Sequence, residues 1–277
     1  MRRIREALGG TRCSDAPALT PEERAQRDAE RLNRERGSED ARDGYDCPKC
    51  LNRGYLYTAR GAYITRRDCE CRKARQSIRR MQESGLSSVI GKYTFQRYRA
   101  DEEWQQHIKG LAQAYLRDEN AQWFFIGGQS GGGKSHICTA ICRSLLATCD
   151  VHYMLWEEES VELKSMVTDA ERYQARMDKL KSVDVLYIDD FFSGKKERGG
   201  ETAMPTFADV RLAREILNHR CIGGKRTILS SEWYSMEISE IDEALGGRII
   251  EMCGLYCLNI GRDKGKNYRL RMGGSEV

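Results

Sequence analysis

The sequence predicts an α/β fold, a three-layer sandwich around a mostly parallel five-stranded sheet, with a small cysteine-bearing module before it. Three observations predict this. From about residue 90, short apolar runs alternate with longer segments of helical period, the pattern of a parallel sheet covered by helices. A glycine loop, GGQSGGGKSH at 127–136, separates an apolar run from a helical one. Four of the eleven cysteines fall within residues 47–71. A chain of 277 residues has room for one large domain and a smaller one. The expected divisions are an N-terminal arm (1–44), a cysteine module with a basic helix leaving it (45–83) and the α/β domain (84–277), with SGLSS at 84–88 as hinge.

Residues 1–19 lack periodicity and are expected to be disordered. Thr20-Pro21-Glu22-Glu23 opens a helix well, with Thr as cap, Pro at the first position and acids in the first turn. That helix runs to near Gly37, and its apolar content is too low for a core face, so it is an arm or docks on something else. GYLYTARGAYITRRD then reads as a β-hairpin turning at Arg60-Gly61, and residues 72–83 as a basic helix. In the larger domain, strands are expected at 123–128, 151–156, 183–190, 226–232 and 255–261. Helices are expected at 135–147, 159–181, 207–220 and 239–252.

Composition narrows the classes. Apolar residues make up 40%, mean hydropathy is −0.67, and no run of ~18 apolar residues would form a membrane span. The N-terminus MRRIREALGG has the charge of a signal peptide without its apolar core, so a cytoplasmic location and no membrane partner are expected. The net charge of +4 hides an asymmetry: residues 1–80 hold 20 Lys+Arg against 13 Asp+Glu, the remainder 26 against 29. A basic front end suits nucleic acid or an acidic protein surface. A solvated charged helix is the alternative for residues 20–40.

Gly128-x4-Gly133-Lys134-Ser135 matches the Walker A pattern between a predicted strand and helix, the context that motif requires. Its backbone N–H groups, through Gln129, Ser130, Gly131 and Gly132, would curl around the phosphates of a nucleoside triphosphate at a helix N-terminus. Lys134 would bridge the β and γ phosphates and Ser135 would ligate Mg²⁺. Asp189 and Asp190 end an apolar strand, and in a parallel sheet such ends gather where ligands bind. Asp189 would hold Mg²⁺. Asp190 would orient or deprotonate the attacking water, or else only cap the strand. Ser230, Ser231 and Glu232 end the next strand. Ser231 is the candidate to sense the γ-phosphate, the alternative being a serine that closes the strand through a local turn. Arg248 follows two glycines in IDEALGGRIIEMC and could reach a neighbouring subunit's γ-phosphate as an arginine finger.

Cys47-x2-Cys50 and Cys69-x-Cys71, with 18 residues between the pairs, suit tetrahedral Zn²⁺. Four thiolates leave no open position, so this zinc would be structural. Free thiols or a redox pair are the alternatives. Cys13, Cys138, Cys142, Cys149, Cys221, Cys253 and Cys257 are scattered and read as small core residues.

CPKCLNRGY, YTF at 93–95, GGQSGGGKS, LYIDDFF, the ILNHR helix, RTILSSEW and DEALGGRIIEM occur in that order over residues 45–277. In this the chain resembles the DnaC/DnaI family of replicative helicase loaders, above all versions from phages and mobile elements. The resemblance implies an AAA+ core with little or no helical lid, using ATP and Mg²⁺. It puts Arg248 at the arginine-finger position and SSE at sensor 1. It assigns no sensor 2 arginine. Many relatives carry Glu where Asp190 stands. It further implies an N-terminal module that grips a hexameric replicative DNA helicase, a core that binds single-stranded DNA, and ATP-dependent self-association. Competing readings are an IstB-type transposition ATPase on duplex DNA and a nucleotide-switched adaptor with weak hydrolysis. A small-molecule P-loop kinase is a third, for which no substrate lid motif is found. Without a helix-turn-helix or RRM signature, DNA binding would be backbone-driven and salt-sensitive.

Overall fold

A computed structural model describes residues 19–81, 91–146, 148–193 and 203–273. The expected disorder of residues 1–19, Leu19 apart, and the expected hinge at 84–88 lie outside the described residues. The chain divides into two compact units, residues 1–69 and 70–277.

In the first unit, Thr20 caps α1 (Pro21–Asn33) in a full capping box with Glu23. Ala25 and Ala29 are buried, and these small side chains let α1 pack on a hairpin of β1 (Tyr55–Arg60) and β2 (Tyr63–Asp68). The helix is therefore docked on the hairpin. Polar bonds fix the seam. The Asn33 side chain donates to the Tyr57 carbonyl at 2.8 Å and accepts from the Tyr57 N–H at 3.0 Å. The Arg53 guanidinium donates to the carbonyls of Leu32 and Asn33, capping the helix end. The helix stops short of Gly37, whose N–H donates to the Leu51 carbonyl at 2.7 Å. A Cβ on Gly37 would stand 2.4 Å from the Asn52 carbonyl oxygen, so only glycine permits that approach. A short turn of helix, α2 (Asp40–Asp43), follows.

The second unit begins with α3 (Cys71–Met81) and α4 (Glu103–Arg117). Its sheet has the order β4-β5-β6-β3-β7 and every pairing is parallel. The strands are β3 (Trp123–Gly128), β4 (Val151–Leu155), β5 (Val185–Asp189), β6 (Arg226–Ser230) and β7 (Cys257–Ile260). β3 and β5 are buried throughout, as central strands of a covered parallel sheet must be. Side chains alternate between the two faces. Phe124 meets Tyr115 of α4 on the side where α5 (Lys134–Leu145) crosses β5 and β6. Trp123, Phe125, Leu186, Ile188 and Leu229 join a core that includes Leu180, Leu212, Ile216 and Ile249 from the helices of the other layer.

Two long helical stretches read from the sequence are each split. Residues 159–181 form α6 (Trp156–Ser165), a 3-10 turn (Met166–Thr168) and α7 (Ala170–Ser182). Asp169 accepts from the Arg172 N–H and starts the second helix afresh. Likewise α9 (Ser235–Ile241) and α10 (Glu243–Cys253) meet at Asp242, which caps Leu245. A Cβ on Gly246 would lie 2.4 Å from the Ser239 backbone, so this glycine lets the two helices close on each other. β4 ends one residue early because Trp156 opens α6 and packs edge-on against Phe191 and Phe192.

Thr206 and Asp209 cap α8 (Phe207–Ile222). Near its end, Arg220 is fully buried, and among the described residues no carboxylate forms an ion pair with it. Its guanidinium donates to the carbonyls of Leu180 (2.8 Å), Val183 (3.0 Å) and Arg226 and to the Thr227 hydroxyl. One side chain thus ties the end of α7 to the start of β6. Burial lowers its pKa to about 9, so the cation is retained near neutrality. A last short helix is α11 (Tyr268–Gly273).

Candidate functional site

The carboxyl ends of β3, β5 and β6 converge, and the loop after β3 is the cradle. Gly128 has φ 97° and its Cβ would lie 2.2 Å from the Ile260 carbonyl oxygen, so the loop leaves the sheet only because this residue is glycine. Gly133 has φ 85° and abuts the Tyr98 ring just before α5 begins. Lys134 is buried, and its ammonium donates to the carbonyls of Gly128 (2.8 Å) and Gln129 (2.9 Å). Burial lowers its pKa, while Glu232, Asp190 and Asp189 oppose that shift.

Asp189 is 4% exposed and fully engaged. Its Oδ1 accepts from the hydroxyls of Ser135 (3.0 Å) and Ser230, and its Oδ2 from the Tyr153 hydroxyl at 3.2 Å. A loop hydroxyl held against a buried carboxylate is the arrangement that would share a divalent cation. Asp190 lines the cleft. It sits in the left-handed region at φ 50°, as does Phe192 at φ 61°. The stacked rings of Phe191 and Phe192, wedged against Trp156, hold this turn. Such a backbone costs about 1 kcal/mol or more, and Asp tolerates it better than most L residues, which gives a reason for Asp here in place of Glu. Burial and the Asp189 charge push the Asp190 carboxyl up to about 6.

The two polar residues after Ser230 part company. Ser231 is turned inward, its hydroxyl donating to the Phe191 carbonyl at 2.7 Å and accepting from the Trp233 N–H at 3.1 Å. Ser231 is thus engaged as a strand-closing serine, and Glu232 lines the cleft. Arg248 is half-buried on α10 and donates to the Asn218 side chain; it is not among the residues lining this cleft.

The remaining wall, a cavity of about 320 Å³ in all, was not legible as a site in the sequence. Tyr93, Tyr98, Arg99 and Trp104 come from the segment before β3, and Lys266, Tyr268 and Arg269 from the segment after β7. Tyr93 stacks on His136 at 4.6 Å, Lys266 lies over Trp104 and Arg99 over Tyr268. The Tyr268 N–H donates to the Gly131 carbonyl at 3.0 Å, and the Gln129 side chain accepts from the Asp263 N–H, so the last segment straps onto the loop. Arg269 is close enough to act on the Asp190 charge. The one available signal was the aromatic and basic run YTFQRYRADEEW.

In the cysteine cluster, the sulfurs of Cys47, Cys50, Cys69 and Cys71 lie within 4.8 Å of one another and all four residues are buried. Cys47 and Cys69 are 3.9 Å apart, close to the ~3.8 Å edge of a tetrahedron with ~2.3 Å Zn–S bonds. Leu51 and Asn52 take left-handed φ values of 48° and 66°, wrapping the chain around the first pair. The Gly54 N–H donates to the Cys50 sulfur at 3.3 Å, and Asn52 Oδ1 accepts from the Cys47 N–H at 2.7 Å. Sulfur accepting an N–H bond is what an anionic metal ligand requires. The donor set fits one four-coordinate ion.

Residues 91–257 match the bacterial DnaA ATPase domain family, more than half of the chain. The chain belongs to that family. Its second unit thus contains a DnaA-type AAA+ domain, a family of ATP-binding ATPase domains. A phage-like element PBSX protein, XkdC of Bacillus subtilis strain 168, is 31% identical over 240 residues, covering 82% of this chain and 85% of that protein. In fold, the DnaA-type domain is similar to the crystal structure of DnaI (TM-score 0.50, 17% identity, 63% of this chain and 93% of that one). It is similar to that of the DnaC helicase loader to the same degree (TM-score 0.50, 15% identity, 63% and 98%). Among the described residues no helix is long and apolar enough to cross a membrane.

Proposed function

We propose that this protein is an ATP-dependent loader that places a hexameric replicative DNA helicase on single-stranded DNA. The observation that carries this is the division of labour around the cleft. Lys134, Ser135, Asp189 and Asp190 converge at the carboxyl ends of the strands, while Arg248 stands outside the cleft of its own chain. A site of that kind becomes competent when a neighbour supplies the arginine, so nucleotide and assembly are coupled. Lys134 would hold the β and γ phosphates, Ser135 and Asp189 the Mg²⁺, and Asp190 the attacking water. Ser231, the γ-phosphate sensor expected from the sequence, would have to leave the Phe191 carbonyl to act, while Glu232 lines the cleft beside it. Arg269 and Lys266 supply cations on the opposite wall. The four cysteines would hold one structural Zn²⁺, and the module they close would grip the helicase.

The experiment is native mass spectrometry of the chain mixed with its cognate replicative helicase, with and without ATP and Mg²⁺. An ATP-dependent complex lost on deletion of residues 45–80 supports the loader. Strong duplex binding with no helicase complex would instead favour a transposition ATPase. A second reading, a nucleotide-switched adaptor, is favoured by Asp190, whose side chain, one methylene shorter than Glu, suits slow water activation. Complex formation that requires ATP binding, with turnover no faster than that of Asp190→Asn, would select it.

A further inference from the structure

We infer that the hairpin of the first unit is a contact site for single-stranded nucleic acid, distinct from any DNA contact of the DnaA-type domain. Residues 53–67 contain four arginines, three tyrosines and no acidic residue. Among the described residues of this unit the acids lie instead between residues 22 and 46, apart from Asp68. Every residue of β2 is exposed. The register pairs Arg60 with Tyr63, Thr58 with Thr65 and Leu56 with Arg67. Paired residues share a face, so Arg60, Tyr63 and Arg67 stand on one surface with two threonine hydroxyls between them. Tyr63 is 79% exposed, an unusual placement for a ring at a hairpin tip. On the other face, Arg66 lies 4.7 Å over the ring of Tyr55, with Tyr57 edge-on beside it.

The chemistry selects the partner. The exposed Tyr63 ring offers a stacking surface to any base, and the guanidinium groups of Arg60 and Arg67 on the same face bind phosphate. An acidic protein surface would use the arginines and leave the rings idle. A duplex would hide the base faces that the rings need. Arg53 is excluded from this surface, because its guanidinium is spent on the end of α1.

The test uses the full chain and a fluorescein-labelled oligothymidylate, followed by fluorescence anisotropy over a salt series. The variant is Arg60→Glu/Tyr63→Ala/Arg67→Glu, all at exposed positions. We expect affinity to fall at least about tenfold and the salt slope to flatten by about 1.4, as for two lost phosphate contacts on a single strand. Arg60→Lys/Tyr63→Phe/Arg67→Lys should keep most of the affinity. In the unaltered chain, a 4-thiothymidine oligonucleotide should photo-crosslink to the tryptic peptide Gly61–Arg66. ATP turnover without DNA should be the same in all variants, which separates this site from the nucleotide cleft. Unchanged affinity with no adduct on that peptide would overturn the inference. So would a variant that keeps its oligonucleotide affinity but no longer joins the helicase, since the hairpin would then be a protein grip.

Discussion

Ser135 and Asp189, 54 residues apart in the chain, meet with the serine Oγ donating to the carboxylate Oδ1 at 3.0 Å. One lies at the start of a helix and the other at the end of a strand two places away across the sheet. That contact defines where the divalent cation would sit. Asp189→Asn is expected to keep the fold and to remove the Mg²⁺-dependent part of ATP binding, and chelation should do the same to the unaltered chain. Calorimetric titration with ATP, with and without Mg²⁺, checks this. Equal Mg²⁺ dependence in both proteins would contradict the assignment.

Arg248→Ala should leave ATP affinity within about twofold and reduce hydrolysis by the assembled protein about a thousandfold or more, the lower end of what arginine fingers supply. Steady-state turnover against protein concentration is the measurement. The unaltered chain should show specific activity rising with concentration and the variant a flat line. A loss of ATP affinity in the dilute variant would mean that Arg248 acts within its own chain.

Purified, reduced protein should contain about one Zn per chain by elemental analysis. Cys47→Ser/Cys50→Ser should contain none and should lose protection of the first unit from proteolysis, because small metal modules fold on their ion. Metal-free protein with an intact first unit would return the cysteines to the role of ordinary thiols.

Arg220→Met should cost about 3 kcal/mol or more, because the carbonyls of Leu180, Lys181, Val183 and Arg226 and the Thr227 hydroxyl lose their shared donor together. For a domain of this size that is a fall in Tm of about 6–12 °C. Arg220→Lys should recover little of it, since an ammonium cannot fork to acceptors on two elements. A shift of under about 2 °C in thermal melts would show that water replaces the guanidinium without loss.

Asp209 makes a pH prediction. Burial acts to raise its pKa, but hydrogen bonds from Lys164 and Thr206 outweigh burial and hold the carboxyl below its ordinary range. A folded pKa below the unfolded one means that the contribution is complete above about pH 4 and is lost as pH falls through the folded value. Asp209→Ala should therefore cost about 1 kcal/mol at neutral pH, the worth of a good helix cap, with the deficit shrinking under about pH 4. Chemical denaturation at several pH values reads it. A deficit independent of pH would assign the effect to packing.

The strands and the glycine loop were legible because they are local signals, an apolar run followed by residues that permit positive φ. So was the cysteine cluster, from spacing alone. Breaks at Asp169 and Asp242 were not, because a single capping Asp inside a helical period is outvoted by the residues around it. The cleft wall from Tyr93 to Trp104 and from Lys266 to Arg269 was hidden for another reason. Those segments are brought together only by β3 and β7 pairing side by side, a relation between positions more than 130 residues apart. Ser231 and Glu232 show the same limit: sequence places both at the strand end, but only the turn to Trp233 decides which faces the cleft.

The strand order β4-β5-β6-β3-β7 has a consequence for how the protein is made. During synthesis β3 leaves the ribosome first of the five, yet both of its neighbours, β6 and β7, come last. β4 and β5 pair with each other and can form as soon as they emerge. WFFIGG, buried along its whole length in the finished sheet, has no partner until residues 226–230 have been translated. For that interval the nascent chain carries a bare apolar strand beside the unshaped glycine loop, the state in which chaperones are engaged and aggregates begin. A chain stalled before residue 226 has the Walker sequence but no cradle, so it cannot be rescued by nucleotide.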